Sequence, residues 1–282
     1  MKISTLASLL IILLSLCNCT PRFTSRDFTP EKGFTSGVEG PATDAAGNIY
    51  AVNFERQGTI GKITPGGKAS VYLALPDESI GNGIRFDRAG RMFIADYVNH
   101  NVLMVEKPGD PVKVFAHEES ANQPNDLTIA PNGTIYASDP NWAEETGNLW
   151  IVTAAGFELL ESDMGTTNGV EVSPDGSRLY VNESVQRKIW MYDLSAEGEI
   201  SNKRIFATFP DFGLDGMRCR KNGNLFVTRF GKGTIVVFTP SGKQLREIKL
   251  KGEKPTNLTF SPDEKWLYVT LQDRGCLERV RL

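Results

Sequence analysis

The chain has 282 residues, with 31 Lys and Arg against 34 Asp and Glu and a formal net charge of −3, a length that fits one large domain or two small ones. Without a basic surplus there are no counterions to release, which excludes a nucleic-acid binder that works by neutralising phosphates. A hydrophobic share of 40% is outside the disordered range, and only two His argue against a His-rich zinc or haem site.

The first element in chain order is a leader. Lys2 precedes an apolar run from Leu9 to Leu14 that closes on Leu16-Cys17-Asn18-Cys19. The run is too short for a permanent membrane span and reads as a secretory signal peptide over residues 1–19. Cleavage before a cysteine would make the chain a lipoprotein; Cys19 is the preferred lipidated residue, with Cys17 and plain secretion as the alternatives. The expected location is therefore export, either periplasmic or anchored to a membrane by lipid alone. Cys219 and Cys276 fall on different repeats and are expected as buried thiols rather than a disulfide.

From residue 20 to 282 the chain reads as six copies of one unit. A polar residue opens a short apolar run at Glu39, Asn82, Asn125, Asn168, Asp215 and Asn257, at spacings of 43, 43, 43, 47 and 42 residues. Eight residues after each of the first five anchors stands Gly47, Gly90, Gly133, Gly176 or Gly223, while the sixth copy has Lys265. Eleven or twelve residues after each anchor comes an aromatic: Tyr50, Phe93, Tyr136, Tyr180, Phe226, Tyr268. In the fourth copy, Gly169-Val170-Glu171-Val172, Leu179-Tyr180-Val181, Ile189-Trp190-Met191-Tyr192 and Arg204-Ile205-Phe206-Ala207 are four short strands, the first two joined by a Pro174-Asp175-Gly176 turn. Four strands in about 40 residues predict a β-propeller blade, with the aromatics wedged between neighbouring sheets. The expected fold is all-β: a six-bladed β-propeller with four-stranded blades. The sixth copy ends before its outer strand, so residues 23–35 must supply that strand and close the ring.

Inner strands line the axis of a propeller, so the six anchors crowd one mouth. Two carboxylates and four amides, with no thiol or imidazole, form an oxygen-donor set suited to a hard cation, calcium first and magnesium, manganese or zinc after it. The same residues also begin strands as ordinary turn caps. The links between second and third strands share that mouth, bringing Asp96–Asn101, Asp139–Glu145 and Thr228–Lys232 to it.

Glu39-Gly40-Pro41, Pro124-Asn125-Asp126, Thr167-Asn168-Gly169 and Leu214-Asp215-Gly216, in that order at blade spacing, resemble the inner-strand motifs of the gluconolactonase/regucalcin family, over residues from about 36 to 282. Asp139-Pro140 and Thr228–Gly233 are similar to its bacterial lactonase members. The resemblance implies that Glu39, Asn168 and Asp215 bind a divalent metal, that Asn125 completes the site and meets the substrate, and that a lactone is hydrolysed with Asp215 assisting water attack. Some members carry Arg two residues before the Asn; Gln123 stands there, which puts a sugar lactone in question. Trp142, Arg229 and His100 are further candidate substrate contacts, and His117 lies on the same face. The alternatives are a non-catalytic, metal-stabilised binding propeller and a calcium-dependent phosphotriesterase. A closed ring exposes no sheet edge that demands a partner, so a monomer is expected.

Overall fold

The computed structural model describes residues 22–282; the expected leader and Cys17 and Cys19 lie outside them. The chain folds as a ring of six four-stranded antiparallel sheets, a six-bladed β-propeller, with no helix among the described residues. A short strand, β1 (Ser25–Asp27), precedes the first blade, which holds β2 (Ala42–Thr43), β3 (Ile49–Val52), β4 (Thr59–Ile63) and β5 (Ala69–Ala74). The second blade holds β6 (Gly81–Phe86), β7 (Met92–Asp96), β8 (Asn101–Val105) and β9 (Lys113–His117). The third holds β10 (Leu127–Ile129), β11 (Ile135–Asn141), β12 (Thr146–Thr153) and β13 (Gly156–Gly165). The fourth holds β14 (Thr167–Val172), β15 (Arg178–Glu183), β16 (Lys188–Leu194) and β17 (Ile200–Thr208). The fifth holds β18 (Met217–Cys219), β19 (Leu225–Arg229), β20 (Thr234–Phe238) and β21 (Gln244–Lys249), and the sixth β22 (Pro255–Phe260), β23 (Trp266–Leu271) and β24 (Cys276–Arg281).

The missing outer strand of the sixth blade is β1, which runs antiparallel to β24 with Ser25 opposite Val280 and Asp27 opposite Glu278. Arg274 reinforces the closure by pairing with Asp27, Glu31 and Glu278. The Phe23 N–H donates to the Arg281 carbonyl at 2.7 Å, and the Leu277 N–H donates to Thr29 Oγ1 at 2.9 Å.

The hydrophobic core is six wedges, one between each pair of neighbouring blades, and each contains one of the repeated aromatics. Tyr50 packs with Ile84 and Ile94 of the second blade, and Tyr268 packs with Ile49 and Ile63 of the first, so the ring is continuous through the closure. A single sheet buries neither face alone, which is why the unit must repeat. The repeated turn glycines all have positive φ, the region that costs glycine least. In the sixth copy Glu264 takes this conformation instead, at φ 52°. Cys219 and Cys276 are both free thiols; burial pushes the Cys276 thiol up to about 12.

Candidate active site

The six anchors stand within three residues of the starts of the inner strands, where the backbone bonds across to the next blade. The Gly83 N–H donates to the Asn125 carbonyl at 2.8 Å, and the Gly216 N–H to the Thr256 carbonyl at 2.7 Å. That approach requires glycine after the anchor: a Cβ on Gly40 would lie 1.9 Å from the Asn82 carbonyl oxygen, and one on Gly216 2.0 Å from Asn257 Cγ. The third and sixth blades depart from this, with Asp126 and Leu258 in the glycine position.

Five of the six anchors, Glu39, Asn82, Asn125, Asn168 and Asp215, line a cavity of about 330 Å³; the sixth, Asn257, does not, and Thr256 lines it instead. The carboxyl of Asp215 lies within hydrogen-bond reach of that of Glu39. Burial pushes Glu39 up to about 7, with the negative charge of Asp126 adding to it and the Gly40 N–H and Arg218 opposing it. Asp215 is raised well above the usual carboxylate range, by burial first and then by Glu39 and Asp126. Oδ1 of Asn168 and Oδ1 of Asn82 are buried without a hydrogen-bond partner, and a buried unpaired acceptor is costly. Two crowded acids and two orphan carbonyl oxygens form a site short of positive charge. The donors are all hard oxygens, so these residues fit a calcium-like cation. No group of three or more His, Cys, Asp or Glu that could hold a metal ion occurs among the described residues, so any such site combines carboxylates with amides.

The wall comes from the expected links. Tyr97, Trp142, Ser184, Phe230 and Gln272 each follow a second strand and line the cavity, and Gln123 lines it from the segment before Asn125. Asp139, fully buried, holds this region in place. It accepts from the N–H groups of Asn122 at 2.8 Å and Gln123 at 2.6 Å, from Trp150 Nε1 at 2.9 Å and from Asn148 Nδ2 at 3.2 Å. The Trp142 link is braced on both flanks: Asn141 Nδ2 donates to Asn122 Oδ1 at 3.3 Å, and Gln186 Nε2 to the Glu145 carbonyl at 3.0 Å. Oε1 of the same Gln186 accepts from the Thr166 N–H at 2.8 Å, tying that link to the segment that carries Asn168. Trp142 is thus a wall rather than a lid.

Two expected substrate contacts are placed elsewhere. Arg229 is 3% exposed and is spent on its own loop. It donates to the Asp211 carbonyl at 2.5 Å and carboxylate at 2.8 Å, with its guanidinium 4.0 Å from the Phe209 ring centroid. The next residue, Phe230, reaches the cavity instead. His100 and His117 line a separate cleft with Val98 and Val114 at the outer side of the second blade. Tyr97 takes the cavity position, and His100, at φ 55°, ends the link away from it. His117 Nδ1 is 2.9 Å from Asn101 Oδ1, a structural contact.

The repeat reading also missed a charged cluster across the axis. Asp126 pairs with Arg85 at 3.0 Å and Arg218 at 3.5 Å, Arg85 reaches Glu171 at 3.8 Å, and all four are at least 91% buried. These side chains come from blades two to five, and Arg218 also meets the Pro41 carbonyl of the first blade at 3.5 Å. Burial, then the charge of Arg85, lowers Arg218 to about 10. The signal was present in the chain: Asp126 stands one residue after its anchor and Arg85, Glu171 and Arg218 each three after theirs, positions that share one face of an alternating strand.

The family model described as the SMP-30/gluconolactonase/LRE-like region matches residues 37–273. Diisopropyl-fluorophosphatase of Loligo vulgaris is 28% identical over 276 residues, covering 86% of this chain and 87% of that protein. Gluconolactonase of Zymomonas mobilis is 25% identical, covering 82% and 75%. Among solved structures, a gluconolactonase of Xanthomonas campestris superposes with a TM-score of 0.78 at 20% identity, covering 92% of this chain and 89% of that one. A calcium-binding regucalcin of Agrobacterium tumefaciens gives 0.76 at 21% identity, covering 89% and 94%. With the family pattern running through nearly all of the described propeller, the chain belongs to the SMP-30/gluconolactonase/LRE-like family.

Proposed function

We propose that this protein is a divalent-metal-dependent hydrolase of lactones, with Glu39, Asn125, Asn168 and Asp215 holding the cation and calcium the first choice. The observation that carries this is the pairing of two crowded, raised carboxyls with the orphan Oδ1 of Asn168 at the floor of one cavity. Membership of a family whose relatives include lactonases and a regucalcin adds support. When bound, a divalent cation polarises a lactone carbonyl and stabilises negative charge developing on its oxygen. Asp215 is the group placed to accept a proton from the attacking water, and Asn125 orients the ring. The water oxygen bonds to the acyl carbon, the acyl–ring oxygen bond breaks, and the proton ends on the ring oxygen to give a hydroxy acid. Tyr97, Trp142 and Phe230 shield the ring from bulk water.

A second reading, phosphotriester hydrolysis on the same donors, is favoured by the diisopropyl-fluorophosphatase relative and its coverage. The leader further supports export, with lipid at Cys19 as one form of it. The test is a panel of small lactones and one fluorophosphate, with chelator and then with calcium restored. Lactone turnover that dies with chelator and returns with calcium bears out the first reading. Turnover of the fluorophosphate alone bears out the second. A melting temperature that falls with chelator, without any turnover, makes the site purely structural.

A further inference from the structure

The cavity wall carries information about the substrate beyond the reaction. Its three aromatics, Tyr97, Trp142 and Phe230, come from blades two, three and five, so apolar surface surrounds the floor on several sides. Its other rim residues include Gln123, Ser184 and Gln272, and neither Lys nor Arg lines it. Arg229, the guanidinium closest in sequence to the wall, is tied to Asp211 and Phe209. Lys254 Nζ lies 5.9 Å from the Phe230 ring centroid and is outside the lining.

The apolar surface continues outwards. Trp142 is 43% exposed, and Val185 and Phe212, at 38% and 46%, are exposed on segments next to the wall. A Cβ on Gly213 would come within 3.5 Å of Ser184 Oγ and 3.9 Å of Phe230 Cβ, so the Phe212 segment is packed on two wall residues. The remaining large exposed hydrophobics, among the described residues, lie away from it: Val71, Val114, Leu159, Ile205 and Leu245 on outer strands, and Val98 in the cleft with His100 and His117. The apolar group at this mouth is therefore a local feature, and such a patch beside a cavity marks an amphiphilic ligand.

We infer that the substrate is an uncharged lactone bearing an apolar arm, with the ring on the Glu39 and Asp215 floor and the arm along Tyr97, Trp142 and Phe230, in preference to a polyhydroxylated or phosphorylated sugar lactone. This rests on the lactonase reading. A polyol lying along the wall would set hydroxyls against the three aromatic rings, where they lose water without a hydrogen bond in return, and a phosphate would find no lysine or arginine in the lining to meet it.

The test is kcat/KM of the calcium-loaded protein on γ-lactones with alkyl arms of increasing length, beside glucono-δ-lactone. Full burial of a methylene gives roughly fourfold, and a wall that covers one side gives about twofold per methylene until the arm passes the rim. Trp142→Ala should flatten that slope, and Gln123→Arg should move the preference towards the sugar lactone. In parallel, calorimetric titration with 2-alkylcyclopentanones, which have the ring and arm but no ester, reads the wall without turnover. A slope in both series bears out the inference. Flat ketone affinity, or a sugar lactone preferred over every alkyl lactone, overturns it while leaving the lactonase reading intact. Rising ketone affinity without hydrolysis of any lactone overturns the lactonase reading and keeps the apolar wall.

Discussion

Asp126→Asn tests whether the charges across the axis act as one network. The carboxylate is 1% exposed and faces Arg85 Nη1 at 3.0 Å, Arg85 Nη2 at 3.3 Å and Arg218 Nη1 at 3.5 Å. Asn keeps one acceptor but turns an amide N–H₂ towards guanidinium donors, and the buried quartet passes from neutral to a net charge of +1. Breaking a buried pair by removing one partner costs about 3–5 kcal/mol. At roughly 2–3 °C per kcal/mol for a chain of this size, the melting temperature should fall by roughly 10 °C. Thermal unfolding followed by circular dichroism reads this directly. The double variant Asp126→Asn/Arg218→Met restores neutrality and should recover more than half of the loss, a coupling that independent sites would not show. A fall of under about 3 °C for the single variant, or strictly additive losses in the double, would refute the network.

Four further outcomes are expected. Asp215→Ala should remove both turnover and the rise in melting temperature on adding calcium; retained hydrolysis would sink its assignment. The metal-free protein should lose stability as pH rises. Glu39 ionises near 7 in the folded protein against 4.5 unfolded, so the fold holds its proton more tightly. That contribution is full below about 4.5 and gone above about 7, a loss of about 3 kcal/mol, which chemical denaturation with chelator would follow and calcium should cancel. Gly216→Ala drives a methyl into the Asn257 side chain and should cost about 1–3 kcal/mol, while Gly90→Ala, which meets no neighbouring atom, strains only its positive φ. A chain that starts at residue 30 lacks β1 and strips Arg274 of Asp27; it should unfold at markedly lower denaturant concentration than the full chain.

The ring itself was legible because the chain repeats one blade: the anchor, turn and aromatic positions recur within about a dozen residues of one another in successive copies. Even the exception at Lys265 resolved locally, with Glu264 accepting the positive φ. The convergence of Glu39, Asn125, Asn168 and Asp215 followed from the same periodicity, since equivalent positions in a ring face one axis. What the period does not encode is the direction of side chains in irregular links. Tyr97 and His100 are three residues apart, yet one lines the cavity and the other a different cleft. Arg229 and Phe230 are adjacent and divide between a buried ion pair and the wall. The charged cluster escaped notice for another reason: Arg85 and Arg218 look like surface residues on short strands, and only the pairing with Asp126 and Glu171 makes their burial tolerable.

That cluster also decides traffic. Side chains of Arg85, Asp126, Glu171 and Arg218 reach across the axis from four blades, which makes the propeller a cup rather than a pipe. Whatever reaches its floor must leave over the rim it crossed on arrival. On the lactonase reading, a hydroxy acid slow to depart would hold the doorway against the next lactone, so product should inhibit as a competitor of substrate. The hairpins at Gly47, Gly90, Gly133, Gly176 and Gly223, on the closed side, are correspondingly free to vary or to carry fused sequence without touching the chemistry.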